Sequence, residues 1–155
     1  MVKAIGAAPE VHAAIECLGR LTDVFEQRRQ QLAQGAGLTE QQWRVLEEIS
    51  SEHFMPSMFA RRRESTAAAV SKILRQLADK ALISVSVSKE DGRHREYVLT
   101  AKGKRALERV RETREQAIRD VWIGLDRDAV KAFAAFGSEL IQRLEEYARR
   151  AEGKE

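Results

Sequence analysis

Apolar residues recur every three or four positions along most of the chain, a spacing that predicts amphipathic helices. The first helix is expected from Pro9 to about Gln34, with proline at its start and the glycines of positions 35 and 37 at its end. A second helix is expected after Thr39, because Thr39 and Gln42 have the spacing of a capping box. The apolar stripes of the two helices are Val11, Ile15, Leu18, Leu21 and Phe25, and then Trp43, Leu46 and Ile49.

A short helix and a longer one are expected in the middle of the chain. Pro56 opens the short helix, which runs to about Arg62, and Ser65 is expected to cap the longer one. Ala60, Val70 and Ile73 have the spacing that helix-turn-helix units share. The stripe of the longer helix that is predicted to face a core is Thr66, Val70, Ile73, Leu74 and Leu77.

After position 82 the apolar residues alternate with polar ones, which predicts strands. Residues 83–89 read ISVSVSK and residues 95–99 read REYVL, and the Asp-Gly pair between them favours a tight turn, so a β-hairpin is expected. Thr100 is expected to cap a long helix to Gly124, and Asp126 to begin the last helix. The predicted fold is mainly α with a small β-hairpin wing.

Basic residues are concentrated in the middle of the chain. The net charge is +3, but residues 61–105 contain twelve Lys and Arg against five Asp and Glu, so this stretch carries +7 and the remainder −4. A basic centre between two acidic terminal segments predicts that the centre binds a polyanion and that the terminal segments have another role. Because the long terminal helices have little else to cover them, we expect a second copy of the chain to bury them.

The short helix, turn and longer helix have the order of a helix-turn-helix, whose second helix enters the major groove of DNA. Opposite its apolar stripe this helix carries small side chains, which let the backbone approach base edges. The alternative is a plain surface helix in which alanine only favours helix formation. The candidate DNA contacts on this helix are Ser65, Thr66, Ala67, Ala68, Ser71, Lys72 and Arg75.

The position of the hairpin favours the DNA interpretation, because a ribbon directly after such a helix makes a winged helix whose tip can enter the minor groove. Asp91 is expected to brace Arg93 by a local ion pair. The alternatives are a solvated charged loop and arginines that serve solubility. The candidate contacts are Arg93, His94 and Arg95 at the wing, and Arg61, Arg62 and Arg63 at the turn before the recognition helix.

Three segments, LTEQQWRVL, FARRRESTAAAVSKILRQLADKALI and DGRHREYVLTAKG, resemble the MarR family of bacterial transcription regulators, in that order. The most specific elements are Asp91-x-Arg93 and Leu99-Thr100-x-x-Gly103. The resemblance implies a dimeric winged helix-turn-helix protein whose long N- and C-terminal helices form the dimer interface. It also implies DNA binding that a small molecule or thiol oxidation relieves. Residues 37–103 would be the DNA-binding region, and 1–36 with 104–155 the helical dimerisation region, in one structural unit.

Three residues depart from the family pattern. Ala81 stands where glycine is frequent after the recognition helix, so this helix is expected to end without a left-handed cap. Ser84 replaces a frequent arginine at the start of the wing. Glu64 occupies a position where many helix-turn-helix proteins have glycine.

Few residues suggest how such a protein is controlled. Cys17, the single cysteine, is expected to be a buried structural residue, with a redox sensor as the alternative. Trp43 is expected in the core, and the family resemblance also allows Trp43 and Arg20 to line a pocket for an anionic aromatic effector. The three histidines are isolated, so neither a metal site nor a cofactor is expected.

The sequence therefore predicts a cytoplasmic, homodimeric regulator that binds a pseudo-palindromic operator in double-stranded DNA, with repression preferred to activation. No phosphate loop, nucleophile elbow or metal cluster supports an enzyme, and no stretch is long and apolar enough for a membrane span. Two alternatives remain: a thiol-switched regulator acting through Cys17, and a winged-helix adaptor that binds protein instead of DNA.

Overall fold

The computed structural model describes residues 8–51, 54–63, 65–88, 92 and 94–153, within which it has six helices and one antiparallel β-hairpin. The elements in chain order are α1 Pro9–Gly35, α2 Glu40–Ser50, α3 Pro56–Arg62, α4 Ala67–Asp79, β1 Ile83–Val87, β2 Arg95–Leu99, α5 Ala101–Trp122 and α6 Arg127–Glu152. The mainly α fold, with a hairpin wing after a helix-turn-helix and long helices at both ends, is confirmed.

Hydrogen bonds from side chains set where two of the helices begin. Thr39 Oγ1 accepts the Gln42 N–H at 3.1 Å, and Gln42 Oε1 accepts the Thr39 N–H at 3.2 Å, so the predicted capping box of α2 is confirmed. At the start of α6 the Asp126 carboxylate accepts the N–H groups of Asp128 and Ala129, as expected of an N-cap.

The predicted N-cap of α4 is wrong by one residue. Thr66 has the extended backbone of a cap, and its hydroxyl accepts the Ala69 N–H at 3.1 Å. The Ser65 N–H instead donates to the Ala60 carbonyl at 2.9 Å, just beyond the end of α3. The prediction that Thr66 belongs to the buried stripe is wrong for the same reason, because its side chain is exposed at the helix start.

The hydrophobic core lies where the apolar faces of α2, α4 and the first half of α5 meet. Leu46, Leu77 and Leu107 are almost fully buried there. Burying each such side chain stabilises the fold by about 1.5–3 kcal/mol. The cluster also contains the predicted inward residues Trp43, Ile49, Ala60, Val70, Ile73, Leu74, Ala106 and Val110.

The recognition helix α4 ends in a left-handed cap that is occupied by alanine. Ala81 has a φ of +56°, its N–H donates to the Ala78 carbonyl at 2.8 Å, and the Leu82 N–H donates to the Leu77 carbonyl at 2.9 Å. These two bonds are those of a Schellman motif. The expectation that α4 ends without a left-handed cap is therefore wrong. The hydrogen bonds and the burial of Leu82 outweigh a backbone strain of about 1–2 kcal/mol.

Replacing Ala81 with glycine is expected to raise the free energy of unfolding by about 1 kcal/mol, because glycine adopts a positive φ without strain. Urea denaturation followed by circular dichroism measures this change. The matched control is Ala78→Gly, which places the same substitution inside the helix and is expected to lower stability by about 1 kcal/mol. If both substitutions destabilised the protein, strain at Ala81 would be the wrong explanation.

The first turn of α5 packs directly on the chain that leaves α4. The Thr100 N–H donates to the Leu82 carbonyl at 3.1 Å, and the Thr100 hydroxyl donates to the Ala81 carbonyl at 2.7 Å. The same hydroxyl accepts the Gly103 N–H at 3.0 Å, which confirms Thr100 as the cap of α5. A Cβ on Gly103 would lie 2.0 Å from the Leu82 carbonyl oxygen. The Thr100-x-x-Gly103 motif is thus explained by a close backbone contact.

The chain divides into two compact units, Met1–Arg114 and Glu115–Glu155. The first contains the core described above, although in α1 only Ala33 is fully buried. In the second, α6 has no buried residue and exposes several large apolar side chains. None of the helices in the described part of the chain is long and apolar enough to cross a membrane. The division into DNA-binding and dimerisation regions stays a prediction.

Candidate nucleic-acid interface

The α4 helix has one anchored face and one open face. Val70, Ile73, Leu74 and Leu77 are buried against the core. The opposite face is exposed and, before Asp79 in the last turn, carries small, hydroxyl and basic side chains that are predicted site residues: Ala67, Ala68, Ser71, Lys72 and Arg75. A helix held in this way can bring its backbone close to a partner surface, with cations beside the contact.

A buried polar cluster fixes the far end of α4, and the sequence analysis missed it. The Gln42 side chain is only 3% exposed, and its Nε2 donates to Gln76 Oε1 at 3.1 Å. Lys80 Nζ donates to Gln42 Oε1 at 2.9 Å and to the Gly37 carbonyl at 3.0 Å. The cluster ties the end of the recognition helix to the α1–α2 turn. Gln42 was interpreted only as a capping residue, and no local signal marks its second role.

The three arginines at the end of α3 are all exposed, but they do not have the same surroundings. Arg62 forms an ion pair with Glu48 of α2, and the Arg63 guanidinium lies 5.9 Å from the centre of the Phe59 ring. Arg61 has no ion pair within the described residues. Arg61 is therefore the one whose charge is most available to an outside anion, while Arg62 also joins α3 to α2.

The wing, formed by β1 and β2, follows α4 in the chain and carries basic side chains. His94 and Arg95 are exposed where the second strand begins. Arg93, and with it the predicted ion pair to Asp91, lies outside the described residues, as does Glu64 in the turn before α4. The strands pair in antiparallel register, with Val87 opposite Arg95 at the end of the hairpin where the chain turns and Ile83 opposite Leu99 at its open end.

A second polar contact joins α2 to α5. Arg111 Nη2 lies 2.8 Å from Glu47 Oε2, and Trp43 Nε1 donates to Glu47 Oε1 at 3.2 Å. Partial burial raises the pKa of the Glu47 carboxyl, but hydrogen bonds from Arg111 and Trp43 outweigh it and leave the pKa below its usual value of 4.5. Glu47 thus stays ionised at neutral pH, and Trp43 is a core residue with a satisfied N–H.

Beside this contact lies an open cleft of about 490 Å³ between the end of α2, strand β2 and α5. Its lining combines the apolar Ile49 and Leu107 with the charged Lys104, Glu108 and Arg111. A volume of this size is in the range of small-molecule sites. Neither Arg20 nor Trp43, the predicted ligand residues, lines this cleft.

The prediction that Cys17 is buried is wrong for the single chain, where its side chain is exposed. Little of the first unit covers the apolar stripe of α1, because Val11, Ile15 and Phe25 are exposed as well. Burial of this helix depends on contacts that one chain does not supply.

A helix-turn-helix with an open recognition helix, followed by a β-hairpin, defines a winged helix-turn-helix protein. Residues 36–94, the winged-helix part of the chain, match the family model of the MarR family. The predicted resemblance is therefore confirmed. No curated protein matches the sequence significantly.

Solved structures share the fold at low sequence identity. The crystal structure of a MarR family transcription regulator has a TM-score of 0.81 and 17% identity, covering 90% of this chain and 93% of that one. The DNA complex of Staphylococcus aureus MepR has a TM-score of 0.65 and 18% identity, covering 83% and 94%. Staphylococcus aureus MarR in complex with salicylate and kanamycin has a TM-score of 0.72 and 18% identity, covering 87% and 92%.

Proposed function

We propose that this protein is a sequence-specific DNA-binding transcriptional regulator that acts as a homodimer. The observation that carries the proposal is the open face of α4, where small, hydroxyl and basic side chains stand opposite a fully anchored apolar face. A surface helix whose only role is to cover the core has no need of that combination. The MepR relative was solved as a DNA complex, which supports the proposal.

The candidate residues divide by the part of DNA that each can reach. Ala67, Ala68 and Ser71 lie where base edges would be, with alanine methyl groups suited to thymine and the serine hydroxyl to a polar edge. Basic and hydroxyl side chains around them suit phosphates, which fix register and orientation. The proposed phosphate contacts are Arg61, Arg62, Arg63, Ser65, Thr66, Lys72 and Arg75, and the proposed minor-groove contacts are Arg93, His94 and Arg95.

Exposed apolar surface on both terminal regions supports a dimer. In α1 the exposed side chains include Val11, Ile15 and Phe25, and α6 exposes Phe133 and Phe136 among others. Apolar surface of this extent on helices usually marks an interface. A twofold dimer would place two recognition helices in successive major grooves, so half-sites should lie about 10 base pairs apart.

We propose repression relieved by a small-molecule effector as the mode of regulation. The cleft of about 490 Å³ supports an effector site, because it combines apolar walls with two cations, Lys104 and the Glu47-paired Arg111, and one carboxylate, Glu108. An anionic aromatic compound suits such a lining. The MarR relative solved with salicylate shows a ligand of that class on the same fold.

Fluorescence anisotropy with DNA from the upstream region of its own gene tests the proposal, at about 50 and 200 mM salt. We expect the wild type to bind this DNA at least about 10³-fold more tightly than random DNA. Arg93→Ala should weaken binding and reduce the salt slope by about one, because it removes a phosphate or minor-groove contact. Ser71→Ala should cost about 1–3 kcal/mol on the specific sequence only.

The matched control is Ser138→Ala, which removes an exposed hydroxyl from α6 and should leave both affinities unchanged. Weak binding that is indifferent to sequence and to all three substitutions would contradict the DNA interpretation. The protein-binding adaptor would then take its place.

A further inference from the structure

A second cleft, of about 280 Å³, lies on the opposite flank of α5 from the first one. It is bounded by the α1–α2 turn at Ala36 and Gly37, by the C-cap of α4 at Lys80, and by the first turns of α5. Lys80 follows the thirteen residues of α4, so it lies about 20 Å along the helix axis from Ala67. The cleft is therefore separate from the start of the recognition helix.

Among the residues that the structure describes, four cations and no carboxylate line this cleft. They are Lys80, Lys102, Arg105 and Arg109. A concave surface with charges of one sign concentrates an electrostatic potential and attracts ions of the opposite sign. Without a counter-charge the four cations repel one another, so an anion bound among them would remove an unfavourable interaction.

Two of the cations are held in place by neutral acceptors. Lys80 Nζ donates to the Gly37 carbonyl at 3.0 Å and to Gln42 Oε1 at 2.9 Å, and Lys102 Nζ donates to the Lys80 carbonyl at 2.8 Å. These bonds orient both ammonium groups and cancel neither charge. The cleft thus has fixed positive charge before any ligand arrives.

The two arginines are one helical turn apart, and neither forms an ion pair within the described residues. Four other arginines of the Met1–Arg114 unit are paired with glutamate, Arg29 and Arg44 with Glu40, Arg62 with Glu48, and Arg111 with Glu47, so the charges of Arg105 and Arg109, like that of Arg61, are more available to an outside anion. A guanidinium can bind two oxygens of one phosphate at once, and positions four apart on a helix can grip neighbouring phosphates.

We infer that this cleft binds a small anion that carries at least two phosphate groups. Its volume is too small for a nucleic acid duplex, and four positive charges call for a ligand with more than one negative charge. Phosphate fits better than a single carboxylate because each group brings up to two charges and several acceptor oxygens to donors that converge from the C-cap of α4 and from α5. The site needs neither the first cleft nor the recognition face.

Isothermal titration calorimetry with inorganic pyrophosphate tests the inference, using the full chain without DNA at constant ionic strength in sodium chloride. We expect saturable binding with one site per chain. The double variant Arg105→Gln/Arg109→Gln should weaken it about tenfold or more, because two charge-assisted contacts are lost. The control Arg119→Gln/Arg127→Gln removes the same charge elsewhere and should change the affinity less than about twofold, since distant exposed charges are screened.

The absence of saturable heat with the wild type would overturn the inference, as would equal weakening in both double variants. Circular dichroism and thermal melting of each variant separate loss of binding from loss of structure. The double variant Arg105→Gln/Arg109→Gln could instead bind pyrophosphate normally and show a salt dependence of DNA affinity that is smaller by about two units of slope. That result would assign the two arginines to contacts with DNA phosphates and would also overturn the inference. Because the calorimetry contains no DNA, its outcome is independent of the regulatory function proposed above.

Discussion

Gly103→Ala should lower the free energy of unfolding by about 3 kcal/mol or more. The added methyl would lie 2.0 Å from the Leu82 carbonyl oxygen and 3.0 Å from the Leu82 carbonyl carbon, and both atoms belong to the backbone. The backbone cannot move alone, because the same carbonyl accepts the Thr100 N–H and Leu82 is buried in the core. Urea denaturation followed by circular dichroism measures the loss.

Gly35→Ala is the matched control for this prediction. Gly35 ends α1, has no atom from outside its own stretch of helix within 4 Å of its would-be Cβ and does not have a positive φ. The methyl is expected to be neutral there or to stabilise by up to about 1 kcal/mol, because alanine is a better helix former than glycine. If Gly103→Ala were within about 0.5 kcal/mol of the wild type, α5 would not pack on the α4–β1 connection as closely as described.

Phe136→Glu should convert the protein to a monomer and reduce operator affinity at least about a hundredfold. Phe136 is 55% exposed in the single chain and lies on the same face of α6 as Phe133 and Leu144. Removing a buried phenylalanine forfeits about 1.5–3 kcal/mol, and each chain would also bring an unpaired carboxylate into the interface. Sedimentation velocity at several protein concentrations measures the oligomeric state.

The neighbouring residue supplies the control for the dimer prediction. Ala135 is exposed and points about 100° around the helix from Phe136, away from the apolar stripe. Ala135→Glu adds the same charge and should leave both oligomeric state and operator affinity unchanged. A protein that is monomeric before any substitution, or a Phe136→Glu variant that dimerises normally, would contradict a dimer formed through α6.

Elements whose signals are local could be predicted from the sequence. The capping box of Thr39 and Gln42, the cap at Asp126 and the alternation in residues 83–87 each depend on neighbours within a few positions. The exposed face of α4 follows from the same periodicity that buries Val70 and Leu77. These features therefore agree with the structure, apart from element ends that differ by one or two residues.

Features that depend on tertiary contacts could not be predicted in this way. Serine and threonine are both good caps, and only the chain's path out of α3 decides between Ser65 and Thr66. Ala81 adopts a positive φ because burial of Leu82 and two hydrogen bonds offset the strain. The cluster around Gln42 joins residues 34 and 38 positions apart, a separation over which sequence spacing gives no guide.

The candidate sites illustrate the same limit. The DNA contacts proposed within α4 all have exposed side chains. The helical period that buries the apolar stripe of α4 also leaves these side chains exposed. The ligand residues Arg20 and Trp43 were chosen by family resemblance, and the two clefts are lined by other residues that come from three different elements. Concave sites depend on how elements pack, which the spacing of residues along the chain does not report.

The two faces of α4 have a consequence for how such a protein can evolve. The residues that hold the helix in place, such as Val70 and Leu77, point away from those proposed to read DNA, such as Ala68 and Ser71. Substitutions at exposed positions that share no partner with the core usually change stability by less than about 0.5 kcal/mol. The target sequence can therefore drift or be re-engineered one side chain at a time, while every intermediate still folds.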